Sequence, residues 1–446
     1  MWNEICANIL VDFTSTLEKE KIEYFILRNH KDLPLVNHAK DIDIVINPKK
    51  IKEALKILKT IYKRNGIEYY DEFRTGNMIC THGMSIINNI GIHIDLLGGL
   101  NIKGYYIECF DELYSRTEKY NDLNILDEKS EIFFLFLTKI FGNKKTKIKE
   151  KYKNIFNESL FNKAHFLDYL SKYVSDKSVT RVNMLLANKE YDEIYSLAKV
   201  FNRDIKKKSW RRFPLKTFRT RIKFIVEKIY RIIFCYRHFS RTAAVIAPDG
   251  TGKSTFIERL IEMINYYYVS DDKVRLYHFR PELIPNLRDV GQNMGVMGEK
   301  KVTTDPHYYK TVNRVSSFFR IMYYTFDYIV GWRKYIRRDV HFDKYSIFDR
   351  YSYDLMVDPY RTRLKLSKIT RKIFVSITPK PKVVFFLKAD AERIRERKQE
   401  LGVDEIERQL EEYSKLSKKR NVITLDANSS VDEMCLEAIK ILFEKN

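Results

Sequence analysis

AVIAPDGTGKST, residues 244–255, decides how the second half of this chain is read. Small and β-branched residues run straight into Pro-Asp-Gly-Thr-Gly, and a helix-forming stretch follows at once. This is a strand, a tight turn and a helix start. Backbone N–H groups around Gly250 to Lys253 can surround an anion there, aided by the positive end of the helix. Lys253 adds a point charge, and the Ser254 hydroxyl is placed to hold a cation. The spacing is Gly, four residues, Gly-Lys-Ser/Thr, except that Ala247 stands in the first glycine position. An extended backbone at Ala247 needs no positive φ. Asp249, Gly250, Thr251, Gly252, Lys253, Ser254 and Thr255 are therefore predicted to form a phosphate-binding loop. A chance match on a surface loop is the alternative.

The surroundings support the loop. TAAVIAP (242–248), KVRLYHF (273–279), YSIFD (345–349), KVVFFL (382–387) and NVITLDA (421–427) read as strands, most of them continuously apolar as strands covered on both faces require. Helical stretches at 253–265, 307–338, 389–400, 404–419 and 431–444 separate them. Such alternation builds a parallel five-stranded sheet of the α/β class. Asp349 ends one strand, on the side of an open α/β sheet where ligands bind, and suits Mg²⁺ or its waters. Arg350 beside it can clamp a phosphate bidentately; a surface ion pair at a strand end would look the same. In ADAERIRERKQEL (389–401), Arg393 and Arg397 share a helix face and could neutralise transferring phosphate charge, or simply form a solvated face with Glu392, Glu396 and Glu400.

Phosphate loop, DRY (349–351) and arginine helix, in that order, resemble the thymidylate kinase family over about 241–446. FRPE (279–282) is similar to that family's Arg-Glu-Pro segment. The resemblance implies ATP and Mg²⁺, with Lys253, Asp349, Arg350, Arg397 and Arg393 in catalysis, Ser254 and Asp349 at the metal, and Asp249, Arg280 and Arg350 toward an acceptor. The acceptor side departs from the family. The order is Arg280-Pro281-Glu282, SYDLMVDPYR follows DRY, and 283–340 is long and aromatic. DRYSYDLMVDPYR and ERKQEL look more like thymidylate-kinase-like proteins of bacterial surface-polysaccharide gene clusters. That resemblance points to a sugar, sugar-phosphate or glycan acceptor, with Asp354 and Asp358 suited to hydroxyl groups or, equally, to capping.

In the front half, DIDIVI (41–46) alternates, so Asp41 and Asp43 share one strand face. Paired carboxylates repel unless a cation neutralises them, and Mg²⁺ is the natural partner. GIHIDLL (91–97) is a second strand, and Asp95 can supply a third carboxylate. This resembles the nucleotidyltransferase superfold over about 20–100, an α+β domain with a helical remainder to about 200. The glycine turn expected before the acids is replaced by LRN (27–29), where Arg28 could meet phosphate. The domain could turn over nucleotide, or bind an acceptor or partner.

The net charge is +22 over 446 residues. Fourteen Lys/Arg against two acids fall between Arg203 and Arg241, so about half the excess lies in a short block. There Phe218, Ile222, Ile225, Ile229, Ile232 and Ile233 form a helical apolar stripe, with Arg219, Arg221, Lys223, Lys228 and Arg231 in other directions. The block reads as an amphipathic segment for an anionic membrane surface, or as an interdomain helix. Nucleic acid is not expected, because no nucleic-acid module appears. Five scattered cysteines without a CxxC pair argue for a reducing compartment. No apolar run reaches the about 18 residues of a membrane span, and neither is a secretory signal expected at MWNEICANIL. The expected location is cytoplasmic, peripheral at the inner membrane surface.

The expected organisation is a nucleotidyltransferase-like domain at 1–202, a basic amphipathic connector at 203–240 and a P-loop kinase domain at 241–446; a homodimer is left open. The leading function is ATP- and Mg²⁺-dependent phosphorylation of a sugar or glycan acceptor. The alternatives are a true nucleoside-monophosphate kinase forming dTDP, and a non-catalytic assembly protein switched by ATP.

Overall fold

A computed structural model describes residues 2–141, 148–161, 163, 165–234, 241–284, 311–399 and 401–444. The chain divides into two units, Met1–Tyr230 and Arg231–Asn446.

The first unit is built on β1 (Tyr24–Ile26), β2 (Ile42–Ile46), β3 (Tyr69–Thr75), β4 (Met78–Ser85), β5 (Ile90–Leu97), β8 (Thr117–Tyr120) and β9 (Leu123–Leu126). They form a mixed seven-stranded sheet in the order β3-β4-β5-β2-β1-β9-β8; β6 (Leu100–Ile102) and β7 (Tyr105–Glu108) make a separate hairpin. The alternation of DIDIVI places the strand. Ile42, Ile44 and Ile46 pack with the helices Glu4–Lys19 and Ile51–Arg64, while Val45 joins the core on the opposite face. That second core is phenylalanine-rich, with Phe133, Phe134, Phe136, Phe156 and Phe166 fully or almost fully buried among the helices that follow β9. Asp43 lies on this second face by strand alternation.

The block expected as a connector folds as two helices, Ala198–Arg212 and Pro214–Phe234, broken at Phe213-Pro214, where proline is tolerated as a first helical residue. As far as Tyr230 it belongs with the first unit. Thr220 Oγ1 donates to the Gly104 carbonyl at 2.7 Å, Arg221 donates to the Lys103 carbonyl at 2.7 Å, and Glu227 accepts from the Gly76 N–H. Residues 235–240 of the expected connector lie outside the described residues.

The second unit holds β10 (Thr242–Ile246), β11 (Val274–His278), β12 (Tyr345–Asp349), β13 (Val383–Lys388) and β14 (Val422–Asp426), all parallel, in the order β11-β12-β10-β13-β14. These are the five strands read from the sequence, within one or two residues at each end. The crossover direction reverses about β10, so the carboxyl ends of β10 and β12 flank a topological switch, the place where such sheets bind ligands. β10, apolar and wholly buried, runs into the helix Lys253–Tyr267. Of the helix expected at 307–338, residues 307–310 lie outside the described residues; the observed helix starts at Arg314, N-capped by Asn313, and runs as Arg314–Gly331, a wide π turn Trp332–Ile336, and Arg337–His341. Trp332 stacks on Phe348 of β12, ring centroids 5.8 Å apart, anchoring this aromatic segment to the sheet. A helix at Lys368–Ile377, N-capped by Ser367, was not anticipated.

Candidate active site

The phosphate loop has the shape its sequence requires. Gly250 and Gly252 have φ of +90° and +86°, conformations that cost a side-chain-bearing residue energy. Ala247 is not among the positive-φ residues, so the missing glycine leaves the turn intact. Thr251 donates its hydroxyl to the Pro248 carbonyl, closing the loop. Ser254 and Thr255 are exposed on the first helical turn. Lys253 is nearly buried, and its Nζ lies 2.5 Å from Asp349 Oδ1 at the end of β12. Register explains the meeting: Val245 of β10 pairs with Asp349, so both groups leave the same edge of the sheet. Burial and the neighbouring Arg350 hold the lysine below its usual pKa against the pull of Asp349. Burial alone would raise the Asp349 carboxyl; Lys253 and Arg350 hold it below the usual carboxylate range.

Arg350 is the hub. Its φ of +70° turns the side chain back beneath the loop, with its own N–H bonded to the Val245 carbonyl at 2.9 Å. One guanidinium nitrogen meets Asp249 and another meets Asp354 at 2.7 Å. Asp249 is shared with Arg361, and Asp354 also accepts from the Tyr413 hydroxyl at 2.9 Å. Burial works against the Arg350 charge, but the Asp354 and Asp249 carboxylates more than offset it and raise its pKa. Burial likewise opposes Asp249, while Arg350 and Arg361 pull it down to about 2. Two residues of this network, Arg361 and Tyr413, were missed in the sequence. Arg361 ends the DPYR run; Tyr413, on a later helix, left no local signal.

Several expected site residues take other positions. Asp354 and Asp358 were read as suited to acceptor hydroxyls or, equally, to capping. Both are buried: Asp354 is committed to Arg350 and Tyr413, and Asp358 accepts from the Arg361 N–H. An arginine beneath a loop needs carboxylates around it, and Asp354 supplies part of that, while Asp358 caps the turn at Arg361. Arg280, also assigned to the acceptor, is 2% exposed and pairs at 2.8 Å with Asp327, which is fully buried. Asp327 further accepts the Glu282 and Ile284 N–H groups at 3.1 Å, so this pair shapes the 280–284 segment. Of the two helix arginines, Arg397 lies against the phosphate loop: a Cβ on Gly252 would sit 3.9 Å from its Nη1. Arg393 instead donates to Asn428 Oδ1 at 3.0 Å. The observed helix is Ala391–Arg397; Glu400 lies outside the described residues. His278, exposed and 3.4 Å from Asp349 Oδ2, is a further group at the crevice that sequence reading passed over.

In the first unit, β2 and β5 run parallel with Asp43 opposite Asp95, and Asp41 stands just before β2. Carboxylate oxygens of the three all lie within 4.8 Å of one another. Arg28, from the stretch that replaces the expected glycine turn, donates its Nε to Asp43 and lies 3.8 Å from Asp41. Burial pushes the Asp43 carboxyl up, Arg28 pulls it down, and Asp41 and Asp95 push it up again, to about 6. The oxygen-only donor set suits a hard divalent cation.

On the helix Pro214–Phe234, Leu215, Phe218, Ile222, Ile225, Val226 and Ile229 are exposed. The basic residues divide. Arg212 binds both oxygens of the buried Glu108 at 3.2 Å, Arg221 is held at Lys103 and Lys206 lies over the Tyr105 ring, whereas Lys207 and Arg211 are exposed. No helix among the described residues is long and apolar enough to cross a membrane.

No protein-family model matches the chain, and no curated protein matches it. Among solved structures it is similar to the thymidylate kinase from Ehrlichia chaffeensis, with 15% identity over 45% of this chain and 97% of that chain, at a TM-score of 0.30. The α/β, P-loop character of 241–446 is read from its own parallel sheet, its strand order and the loop at the end of β10.

Proposed function

We propose that the second unit is an ATP-dependent phosphotransferase, and that its acceptor is a sugar, a sugar phosphate or a glycan end. The observation that carries the reading is the meeting of Lys253 and Asp349 at the carboxyl ends of adjacent strands, with Arg397 over the same loop. The loop N–H groups and Lys253 would hold the ATP phosphates, and Arg397 would neutralise charge on the transferring group. Ser254 and Asp349 offer hard oxygens, the latter held ionised by its neighbours, and would hold Mg²⁺, which supplies Lewis-acid charge at the phosphates. The bond from the bridging oxygen to the γ-phosphorus breaks, the acceptor oxygen bonds to that phosphorus and ADP leaves; the proton of a hydroxyl acceptor passes to solvent. With Asp354 committed to Arg350 and Asp358 buried at the Arg361 turn, acceptor recognition would fall to groups at the crevice mouth, Arg361 and His278 among them. The resemblance of DRYSYDLMVDPYR supports an acceptor other than dTMP, a role in surface-polysaccharide synthesis and a site of action inside the cell. The test is label transfer from γ-labelled ATP to dTMP, other nucleoside monophosphates, simple sugars, sugar phosphates and extracted glycan. Label on dTMP alone would replace this reading with a thymidylate kinase.

A second reading concerns the first unit. The convergence of Asp41, Asp43 and Asp95 supports a divalent-cation site of nucleotidyltransferase type, in which these acids would hold Mg²⁺ and Arg28 would move to a nucleotide phosphate. Isothermal titration with Mn²⁺ tests it: binding lost in Asp43→Asn supports the site, and unchanged binding removes it.

We further propose that the exposed stripe of Pro214–Phe234 rests on an anionic lipid surface. The chemistry favours lipid over a second copy of the chain, because self-association would set Lys216, Arg219, Lys223 and Lys228 against their own images. Co-sedimentation with phosphatidylserine vesicles tests this; binding unchanged in Phe218→Glu/Ile222→Glu would overturn it.

A further inference from the structure

The sheet face that carries the three acids of the first unit carries softer metal-binding groups beside them. Strand register places them. His93 and Asp95 are two apart on β5 and share a face. Antiparallel β4 sets Cys80 opposite Asp95 and His82 opposite His93, and parallel β2 sets Asp43 on the other side of Asp95. One row across three strands therefore reads Cys80, Asp95, Asp43.

We propose that Cys80, His93 and Asp95 form a site for a borderline-soft divalent cation of the zinc class, adjoining the hard-oxygen group of Asp41 and Asp43 and sharing Asp95 with it. The sulfur, an imidazole nitrogen and a carboxylate oxygen all lie within 4.8 Å of one another, and His93 Nε2 is 2.9 Å from Asp95 Oδ1. With bonds of about 2.0 Å to nitrogen or oxygen and about 2.3 Å to sulfur, a tetrahedral ion holds its ligands roughly 3.3–3.6 Å apart. Closing the trio onto an ion therefore asks for side-chain rotation of about an ångström. The strands, paired on both sides, stay where they are.

The donor set decides the class of ion. Thiolate and imidazole favour zinc-like ions over magnesium, which takes oxygen ligands. Asp95 is buried while Cys80 and His93 are half-buried, so the group is shielded from bulk water yet reachable. The His82 ring, 4.1 Å from that of His93, braces the imidazole. Three protein ligands with a fourth position left for water or substrate is the arrangement of zinc sites that do chemistry. A simple His93–Asp95 ion pair would place no demand on the residue at position 80. Sharing Asp95 couples the two groups, so filling one changes the affinity of the other.

Cobalt(II) is the probe. The full chain, reduced and stripped of metal with a chelator, is titrated with Co²⁺. The first equivalent is expected to raise a thiolate-to-cobalt band in the near ultraviolet and intense visible bands of a tetrahedral ion, both displaced by Zn²⁺. Cys80→Ser should abolish the thiolate band, His93→Gln should weaken Co²⁺ binding at least about tenfold, and Cys109→Ser should leave the band in place. The absence of a thiolate band in the unaltered protein, or a band that survives Cys80→Ser, would overturn the proposal. Should Cys80→Ser fold poorly, alkylation of the unaltered protein decides: Zn²⁺ should protect Cys80, and equal labelling with and without Zn²⁺ rejects the site.

Discussion

In the second unit, Arg350 sits between Asp249 and Asp354, Arg361 shares Asp249, and Lys253 faces Asp349. In the first unit, Arg28 faces Asp41 and Asp43, with Asp95 crowded behind. One site has its charges matched within the fold. The other carries an excess of negative charge that a single arginine answers in part; burial first, then Asp41 and Asp95, raise the Asp43 carboxyl against the pull of Arg28. On the proposed reading, the matched site would receive an anion over its loop and the unmatched site a cation.

This difference breaks if the two arginines behave alike. Arg350→Ala strands Asp354, which is 1% exposed, and removing one partner of a buried pair costs about 3–5 kcal/mol. Thermal denaturation should show the second unit's transition falling sharply, with no rescue by divalent cations. Arg28→Ala should cost less, about 1–3 kcal/mol, and millimolar Mg²⁺ should recover most of it by taking the arginine's place. Equal Mg²⁺ rescue of both variants would contradict the comparison.

Arg397→Ala separates charge that serves transfer from charge that serves the fold. It should slow phosphoryl transfer by about a hundredfold while leaving the melting temperature within about 2 °C; Arg393→Ala, on Asn428, should do much less. A drop in stability without loss of rate would move Arg397 from chemistry to structure.

The smallest effect is an acid one. Asp249 titrates near 2 in the fold, against 3.8 for a free side chain. A depressed carboxylate contributes stability that is fully present above 3.8 and is lost as pH falls through about 2. The contribution is on the order of 2 kcal/mol. Stability measured from pH 5 to 2 should fall less steeply in Asp249→Asn than in the unaltered chain; parallel curves would show that the Arg350 and Arg361 pairs do not lower this carboxyl.

How much of this was legible in the sequence depends on distance along the chain. The phosphate loop is one continuous stretch with a fixed strand, turn and helix order, and its shape follows from Gly250 and Gly252. The five strands of the second unit were legible because strands buried on both faces are continuously apolar. In the first unit only β2 and β5 stood out; β3, half-buried and polar, and β4, mostly buried but interrupted by Thr81, His82 and Gly83, carry weak patterns, so Cys80 and His82 had no visible relation to Asp95. Where Asp354 and Arg280 find their partners was not legible, for one physical reason. A charged residue beside a motif looks available on paper, but whether it is already neutralised depends on partners such as Tyr413 and Asp327, tens of residues away. Helix Lys368–Ile377 was passed over although Ile369, Ile373 and Ile377 recur at helical spacing.

The most direct test of the central claim is transfer of label from γ-labelled ATP by the purified chain and by Lys253→Ala, side by side, against the acceptor panel. The account predicts Mg²⁺-dependent labelling of a sugar, sugar phosphate or glycan by the unaltered chain, and a fall of at least about a hundredfold in Lys253→Ala while circular dichroism shows that variant still folded. Equal labelling by the two proteins would contradict the assignment of the site.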